Sequence, residues 1–341
     1  MRALVVTSPG VAEVHELADP IAGAGELVVE VERVGICGTD VELYTGEMAY
    51  IQQGFTTFPI RLGHEWVGRV VEVGSETDSE WLGKRVTADT MLGCGRCSFC
   101  KNGRQHVCPD RNELGIRGHW AGALAEKIVV PSRFAFEIPE NVSLAAAALV
   151  EPGGNSLRAV EAARIEPGDR VLILGAGTIG LLAAQFALAE GAQVHLAGVR
   201  QDALDLASQL GVQHIWKKDE IEANHVEQFD AVIDATSMVE APALCVRLVR
   251  PAGRVVFIGI SPTPSMIDTR DIVFNDITVV GILSASPGLA GAIQAFASGA
   301  VVPDLLVSEV VSLADVPSRL EGVRGASARP GPKVHVDPRL P

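Results

Sequence analysis

The sequence is poor in basic residues, and this deficit excludes several kinds of partner. Lys and Arg number 28 among 341 residues, against 42 Asp and Glu, so the formal net charge is −14. No block of consecutive basic residues offsets this balance. Nucleic acids and anionic membrane surfaces attract proteins through positive charge, so we expect neither as a partner.

The hydrophobic pattern of the sequence also gives no clear secretory signal or membrane-spanning segment. The apolar stretch Ala3–Val6 gives way to Thr7 and is too short for the core of a secretory signal. An uncharged run of 19 residues, 171–189, approaches the length of a membrane span, but three glycines interrupt it in a meaningful arrangement. We therefore expect a cytoplasmic protein that does not bind membranes.

The remaining composition is that of an ordinary globular protein. Hydrophobic residues make up 48% of the chain and charged residues 21%. This mixture excludes intrinsic disorder and a fibrous protein as the main state, and it can bury a sizeable core. At roughly 150 residues per domain, the length indicates about two domains.

Four of the six cysteines form a compact cluster in the sequence. Their spacing is C-x2-C-x2-C-x7-C, at Cys94, Cys97, Cys100 and Cys108. In a long cytosolic chain this spacing predicts a closed structural Zn²⁺ site with four thiolate ligands. An iron–sulfur cluster is the competing metal, but the bacterial ferredoxin run has three residues before its last cysteine, where this chain has seven. Unligated thiols remain a further alternative.

The hydrophobic pattern changes character at about Pro152. The first ~130 residues are rich in short apolar stretches with strand-like alternation, as at Leu27, Val29 and Val31. After Pro152, apolar runs alternate with helical periodicity, and a helix over 203–210 is expected to end at Gly211. Six strands with helical crossovers predict an α/β fold with a doubly wound parallel sheet. The predicted strands are Val171–Gly175, Gln193–Gly198, His214–Trp216, Ala231–Ala235, Arg254–Gly259 and Ile277–Leu283.

A glycine motif follows the first of these strands. Gly175, Gly177 and Gly180 form G-x-G-x-x-G, with Thr178 and Ile179 opening a helix. The three glycines allow a tight turn, a close approach to a pyrophosphate and close packing of the helix on the strand. The N–H groups at the start of the helix then face the phosphates, so the motif predicts a dinucleotide site.

The end of the second strand indicates which dinucleotide is bound. NAD-binding folds place an acidic residue there, whereas this chain has Gly198, with Arg200 two residues further on. Glycine removes a negative charge that would repel a 2′-phosphate, and arginine can bind that phosphate with two hydrogen bonds. We therefore expect NADP to be favoured over NAD. Asp202 is the rival acidic group, but its position is typical of a helix N-cap.

Several other residues gain meaning only in combination. They are Gly35-Ile36-Cys37-Gly38-Thr39-Asp40, Gly63-His64-Glu65, the four-cysteine segment, Glu151-Pro152 and the run 175–180. Together, and in this order, they resemble the zinc-dependent medium-chain dehydrogenase/reductase family, the group of alcohol, sorbitol and threonine dehydrogenases. The resemblance covers nearly the whole chain.

This resemblance implies the domain organisation. A GroES-like β-barrel catalytic domain is expected over 1–152, with a zinc-binding lobe at about 93–109. A Rossmann dinucleotide-binding domain is expected over 153–284, and a return segment, 285–341, should complete the barrel. Members of the family are usually homodimers or homotetramers, and Ile277–Leu283 resembles the edge strand through which they pair.

The resemblance also implies a second, catalytic Zn²⁺. Cys37 and His64 should hold it, with Glu65 and Glu151 sharing the carboxylate role; which of the two ligates directly is left open. Asp40 is expected to hydrogen-bond His64 and fix its tautomer.

The implied reaction is hydride transfer between an alcohol and the nicotinamide, with Zn²⁺ favouring the alkoxide. Thr39 matches the family hydroxyl that hydrogen-bonds the alcohol and begins a proton relay. Glu42 occupies a position where many relatives have histidine. It is expected either to complete the relay or to be a solvated barrel residue.

The substrate class is the least specific expectation. The motifs favour a polyol, a sugar or a secondary alcohol as the small-molecule substrate. One alternative is an NAD-dependent threonine or sorbitol dehydrogenase, and a second is a zinc-free quinone or enoyl reductase on the same fold. A non-enzymatic metal- or nucleotide-binding protein is a third. The segment Met48–Phe58 is predicted to shape the substrate entrance.

Overall fold

The structure is a computed structural model that describes residues 1–224 and 226–341. Its strands are β1 Arg2–Ser8, β2 Val11–Glu16, β3 Glu26–Gly35, β4 Glu65–Val73, β5 Arg85–Ala88, β6 Met91–Leu92, β7 Asn112–Glu113, β8 Lys127–Pro131, β9 Ala135–Glu137, β10 Arg170–Leu174, β11 Gln193–Gly198, β12 His214–Lys217, β13 Phe229–Asp234, β14 Val249–Phe257, β15 Thr278–Gly281, β16 Val307–Val311 and β17 Lys333–Val336.

Helices connect most of these strands. The α-helices are α1 Gly38–Thr45, α2 Ala49–Gln52, α3 Ser98–Lys101, α4 Leu144–Ala147, α5 Val150–Ala163, α6 Thr178–Ala189, α7 Gln201–Gln209, α8 Lys218–Asn224, α9 Ala241–Leu248, α10 Thr269–Phe274, α11 Leu289–Ser298 and α12 Val316–Leu320. Short 3₁₀ helices cover Glu76–Trp81, Gln105–Val107, Ser132–Phe134, Ser286–Gly288, Pro303–Leu306 and Leu313–Asp315.

The chain divides into two compact units. The first comprises Met1–Glu151, Val307–Arg329 and Lys333–Pro341, and the second comprises Pro152–Leu306 and Pro330–Pro332. Residues 285–306, which are expected from the sequence to lie in the return segment, are grouped with the second unit in the structure. The reason is packing within the second unit, since Phe296 of α11 stacks on Phe186 of α6 with ring centroids 6.3 Å apart. Gly153 leaves room for the same ring, because a Cβ there would lie 2.8 Å from its Cζ.

The second unit contains the predicted parallel sheet. Its strand order is β12-β11-β10-β13-β14-β15, and every neighbouring pair is parallel. This order places the end of β10 at the point where the order reverses, which is where doubly wound folds bind ligands. The uncharged run 171–189 is split into β10 and α6. Over the described part of the chain, none of the helices is both long enough and apolar enough to span a membrane.

The first unit is built on a mixed sheet. Its strand order is β16-β17-β3-β4-β5-β9, and β8 also pairs with β3. Leu27, Val29 and Val31 of β3 are fully buried in the core of this unit, as their alternation predicts. The late strand β17 pairs antiparallel with β3, so that His335 lies opposite Gly35. This pairing brings the C-terminal segment beside the residues that lead into Cys37.

Candidate active site and cofactor site

Two adjacent strands carry the residues expected to bind the catalytic metal. Cys37 follows the end of β3 and is the N-cap of α1. Glu65 is the first residue of β4 and His64 immediately precedes it, and the antiparallel register pairs Gly35 with Glu65. The register of β3 on β4 therefore places Cys37 beside the His-Glu pair, although 26 residues separate Cys37 from His64 along the chain.

The potential ligand atoms of Cys37, His64 and Glu65 all lie within 4.8 Å of one another. His64 and Glu65 are buried and Cys37 is half-buried. Sulfur, imidazole nitrogen and carboxylate oxygen form a donor set that suits a catalytic Zn²⁺ with an open position. Among the described residues, Glu151 is not a member of this group; it lies in the first turn of α5 and is 9% exposed.

The carboxylate of Asp40 links the end of β3 to the segment that leads into β4. It accepts hydrogen bonds from the backbone N–H groups of Cys37 (2.8 Å) and Gly63 (3.2 Å). Its Oδ1 lies 3.5 Å from Nδ1 of His64, too far for an ordinary hydrogen bond, and among the described residues this buried nitrogen has no hydrogen-bond partner. The expected Asp40–His64 hydrogen bond is therefore not formed here. Burial disfavours the charged carboxylate, but the neighbouring His64 and the two N–H donors outweigh this effect and lower the pKa of Asp40. Asp40 therefore aligns the Cys37 and His64 segments.

Lys333 is a buried cation that sequence reasoning missed. Its Nζ donates to Oε1 (2.9 Å) and Oε2 (2.6 Å) of Glu65 and to the carbonyl of Ile36 (3.1 Å). The two side chains are 4% and 1% exposed. Burial disfavours the charged ammonium, but the charges of Glu65 and Cys37 outweigh this effect and raise the pKa of Lys333. No local motif surrounds Lys333, and only the β17–β3 pairing brings it to the site.

The two residues of the expected proton relay have different environments. Thr39 is half-buried in the first turn of α1. Glu42 is exposed on the same helix. Its backbone carbonyl accepts hydrogen bonds from the N–H groups of residues 46–48, at the end of the helix. Partial burial, followed by the charge of Glu47, raises the pKa of Glu42. Because Glu42 is exposed, the structure favours a solvated barrel residue over a member of the proton relay.

The four cysteines of the lobe converge. Their sulfur atoms lie within 4.8 Å of one another, with Sγ–Sγ distances of 4.0 Å for Cys94–Cys100 and 3.7 Å for Cys97–Cys108. Four sulfurs at about 2.3 Å from a tetrahedral Zn²⁺ would stand about 3.8 Å apart, so the group fits the metal. Backbone N–H groups of Arg96 and Cys97 lower the pKa of Cys94 to about 6, which favours its thiolate, whereas burial raises the pKa of Cys100 to about 12.

The glycine motif adopts the geometry that a pyrophosphate requires. Gly175 has φ +105°, and a Cβ on Gly180 would lie only 1.8 Å from the carbonyl oxygen of Gly175. Gly177 is the N-cap of α6, and because it has no side chain, the first N–H groups of the helix are not capped by one. A Cβ built on Gly177 would have no neighbouring atom within 4 Å, so the space beside its Cα is open. Thr178 and Ile179 are the first residues of this helix. The helix N-terminus therefore presents its free N–H groups to an open space.

The end of β11 carries the residues expected to choose the cofactor. Gly198 is buried, and a Cβ there would lie 3.0 Å from Cδ2 of Leu204, so packing also favours glycine. Arg200, and not Asp202 as predicted, is the N-cap of α7. The prediction failed because the helix begins earlier, at Gln201, which places Asp202 inside the first turn. From there its carboxylate pairs with the Arg200 guanidinium.

The segment 48–58 is anchored on the chain that follows Cys108. Tyr50 donates a hydrogen bond to the buried Glu113 (3.1 Å), and Thr56 donates to the carbonyl of Ile116 (2.6 Å). The guanidinium of Arg117 lies 3.8 Å from the ring centroid of Phe55. These contacts tie the segment to residues 113–117, which follow the zinc-binding lobe in the chain.

Comparisons with known proteins agree with this geometry. Residues 23–140 match the family model of the alcohol dehydrogenase GroES-like domain, and residues 178–298 match that of the zinc-binding dehydrogenases. An L-threonine 3-dehydrogenase of Vibrio vulnificus is 32% identical over 275 residues, 78% of this chain and 79% of the relative.

Two solved structures have the same architecture. One is described as a zinc-binding dehydrogenase of Sinorhizobium meliloti 1021 bound to NADP; it is 33% identical, with a TM-score of 0.90 and 99% of both chains covered. The other is described as a short chain alcohol dehydrogenase of E. coli CFT073 complexed with NADH; it is 25% identical, with a TM-score of 0.89 and 99% of both chains covered. The chain thus belongs to the zinc-dependent medium-chain dehydrogenase/reductase family and is an oxidoreductase with the GroES-like and Rossmann-type fold of that family.

Proposed function

We propose that this protein transfers hydride reversibly between a polyol, sugar or secondary alcohol and NADP at a catalytic zinc site. The convergence of Cys37, His64 and Glu65 in a buried site carries this proposal, because a zinc-free quinone or enoyl reductase has no use for such a donor set.

In this proposal each residue has a defined role. Zn²⁺, when bound, supplies the Lewis acidity that favours an alkoxide over an alcohol. Cys37 and His64 hold the metal, and Asp40 aligns the segments that carry them. Glu65 is the nearer carboxylate and Lys333 fixes its position. The Thr39 hydroxyl accepts the proton of the alcohol as it releases its own proton to solvent, so that it ends the step neutral.

The test is a pair of cysteine variants. Cys37→Ser should lose one zinc per chain and nearly all alcohol-dependent reduction of the nicotinamide. Cys245→Ala is the matched control, because Cys245 is a free thiol outside both clusters, and it should keep both metals and the activity. Full turnover by Cys37→Ser would refute the proposal.

We also propose a second, structural Zn²⁺ in the four-cysteine lobe, so that each chain would hold two zinc ions. The sulfur spacing supports it. Metal analysis of the purified protein should give a ratio near two, whereas an iron–sulfur cluster would colour the preparation.

NADP is proposed over NAD because of Gly198 and Arg200. The NADP bound by the relative from Sinorhizobium meliloti supports this preference, whereas the relative from E. coli CFT073 was solved with NADH. A stronger affinity for NADH than for NADPH would overturn the preference.

A second candidate activity is oxidation of L-threonine or a related amino alcohol. The 32% identity to a threonine dehydrogenase favours it. A screen of polyols, sugars, secondary alcohols and L-threonine with both cofactors separates the two candidates. We propose that the segment 48–58 shapes the substrate entrance; replacing Tyr50 by Phe should then change KM across this series more than kcat.

We further propose a cytoplasmic homodimer or homotetramer. Strand β15 lies at the end of its sheet and has no outer strand partner among the described residues. The neighbouring helix α10 presents Val273 and Phe274, which are 73% and 82% exposed. A two-fold axis would let β15 pair with its own copy and cover these side chains. The six free thiols are consistent with a reducing compartment.

A further inference from the structure

The guanidinium of Arg200 is already engaged in the structure. Its Nε donates to Oδ1 of Asp202 at 3.0 Å, and its Nη2 donates to Oδ2. Asp202 thus occupies one of the two faces through which the guanidinium can donate two parallel hydrogen bonds. Both side chains are largely exposed, at 62% and 45%, so neither is confined to this pair by surrounding atoms.

A 2′-phosphate that binds through Nε and Nη2 needs the face of Arg200 that Asp202 occupies, whereas the Nη1/Nη2 end of the guanidinium is not used by Asp202. Arginine recognises phosphate through two parallel N–H donors, which is how Asp202 is held here. A phosphate that binds Arg200 through Nε and Nη2 must therefore displace the carboxylate of Asp202. A nucleotide with a free 2′-hydroxyl makes no such demand, and the Arg200–Asp202 pair can stay intact beside it.

Asp202 stays charged at neutral pH. Hydrogen bonds from Arg200 lower the pKa of its carboxyl. Its position in the first turn of α7 also favours a negative charge, because the helix N-terminus is partially positive.

We propose that Asp202 is a specificity-determining residue, which competes with the 2′-phosphate for Arg200 and so limits the preference for NADP over NAD. This inference rests on the proposed role of Arg200 as the phosphate-binding residue. The enzyme should accept both cofactors with a modest preference, which removal of the Asp202 charge enlarges.

The experiment measures dissociation constants of NADPH and NADH by nucleotide fluorescence on the zinc-loaded enzyme. Asp202→Asn keeps the shape of the side chain and removes its charge. We expect the Kd of NADPH to fall about fivefold, consistent with the loss of one exposed ion pair, and the Kd of NADH to change less than about twofold.

The same unit supplies a matched control. Asp268 and Arg270 form the same kind of two-pronged pair, also on the surface and at the start of a helix. Asp268→Asn should leave both dissociation constants unchanged. An equal gain in NADPH affinity from Asp268→Asn would mean that overall charge is responsible, and it would overturn the proposal.

An Arg200→Met background separates this inference from the proposed function. If Arg200→Met leaves NADPH affinity unchanged, the proposed NADP site is wrong and this inference fails with it. If Arg200→Met weakens NADPH binding but Asp202→Asn has no effect, only this inference is overturned. If Asp202→Asn strengthens NADPH binding equally in both backgrounds, the carboxylate acts by repulsion and not through Arg200, which also overturns it. An effect of Asp202→Asn that requires Arg200 supports the proposal.

Discussion

The buried Lys333–Glu65 pair allows a demanding test of the site. Replacing Lys333 by Met removes the ammonium that contacts both carboxylate oxygens and leaves Glu65, which is 1% exposed, without its cation. Breaking a buried pair by removing one partner costs about 3–5 kcal/mol, because the remaining charge stays in a medium of low polarity. We expect a loss of stability of about this size in the first unit.

The direction in which Glu65→Gln changes the free energy of unfolding distinguishes this explanation from simple loss of packing. Glu65→Gln removes the stranded charge, so the double variant should be more stable than Lys333→Met alone. In the wild-type background the same Glu65→Gln change should be destabilising, because it strands the ammonium of Lys333. A coupling of about 1–3 kcal/mol between the two positions is the expected outcome for residues in direct contact.

Urea unfolding of the chelator-treated, metal-free enzyme, followed by tryptophan fluorescence, measures these differences, because a Zn²⁺ ion held beside Glu65 would itself neutralise the stranded charge. Trp66, Trp81 and Trp120 lie in the first unit, so the signal reports mainly on the part that contains the pair. Lys84→Met is the matched control, since it removes an exposed ion pair with Glu137 and should have little effect. Additive effects of the two substitutions, or a Lys333→Met variant as stable as Lys84→Met, would refute the reasoning.

The other predictions concern the lobe, the cofactor motif and the sheet edge. Cys97→Ser should lose the lobe zinc and lower the Tm, and retention of two metals per chain would contradict the assignment; Cys245→Ala is again the control. Gly180→Ala should abolish nucleotide binding measured by fluorescence, because the new Cβ would meet the carbonyl oxygen of Gly175. Wild-type affinity in that variant would contradict the close approach of α6. Phe274→Asp should convert the proposed oligomer to smaller species in sedimentation velocity while each chain stays folded. An unchanged sedimentation coefficient would show that α10 is not part of the interface.

Features carried by contiguous residues were predictable from the sequence. The glycine motif lies within 175–180 and the four cysteines within 94–108, so local backbone geometry brings each set together. The six parallel strands were predictable for a similar reason, since each is a short apolar run between helical segments. The resemblance to the family added the scattered ligands, whose spacing alone has no such meaning.

Tertiary packing decided what the local pattern could not. Lys333 reaches Glu65 only because β17 pairs with β3, and the two residues are 268 positions apart in the chain. Residues 285–306 are grouped with the second unit, where Phe296 stacks on Phe186. Asp202 pairs with Arg200 because α7 begins at Gln201. In each case the sequence by itself determined which chemical groups are available, whereas long-range contacts, whose energies depend on residues far apart in the chain, determined which of them meet.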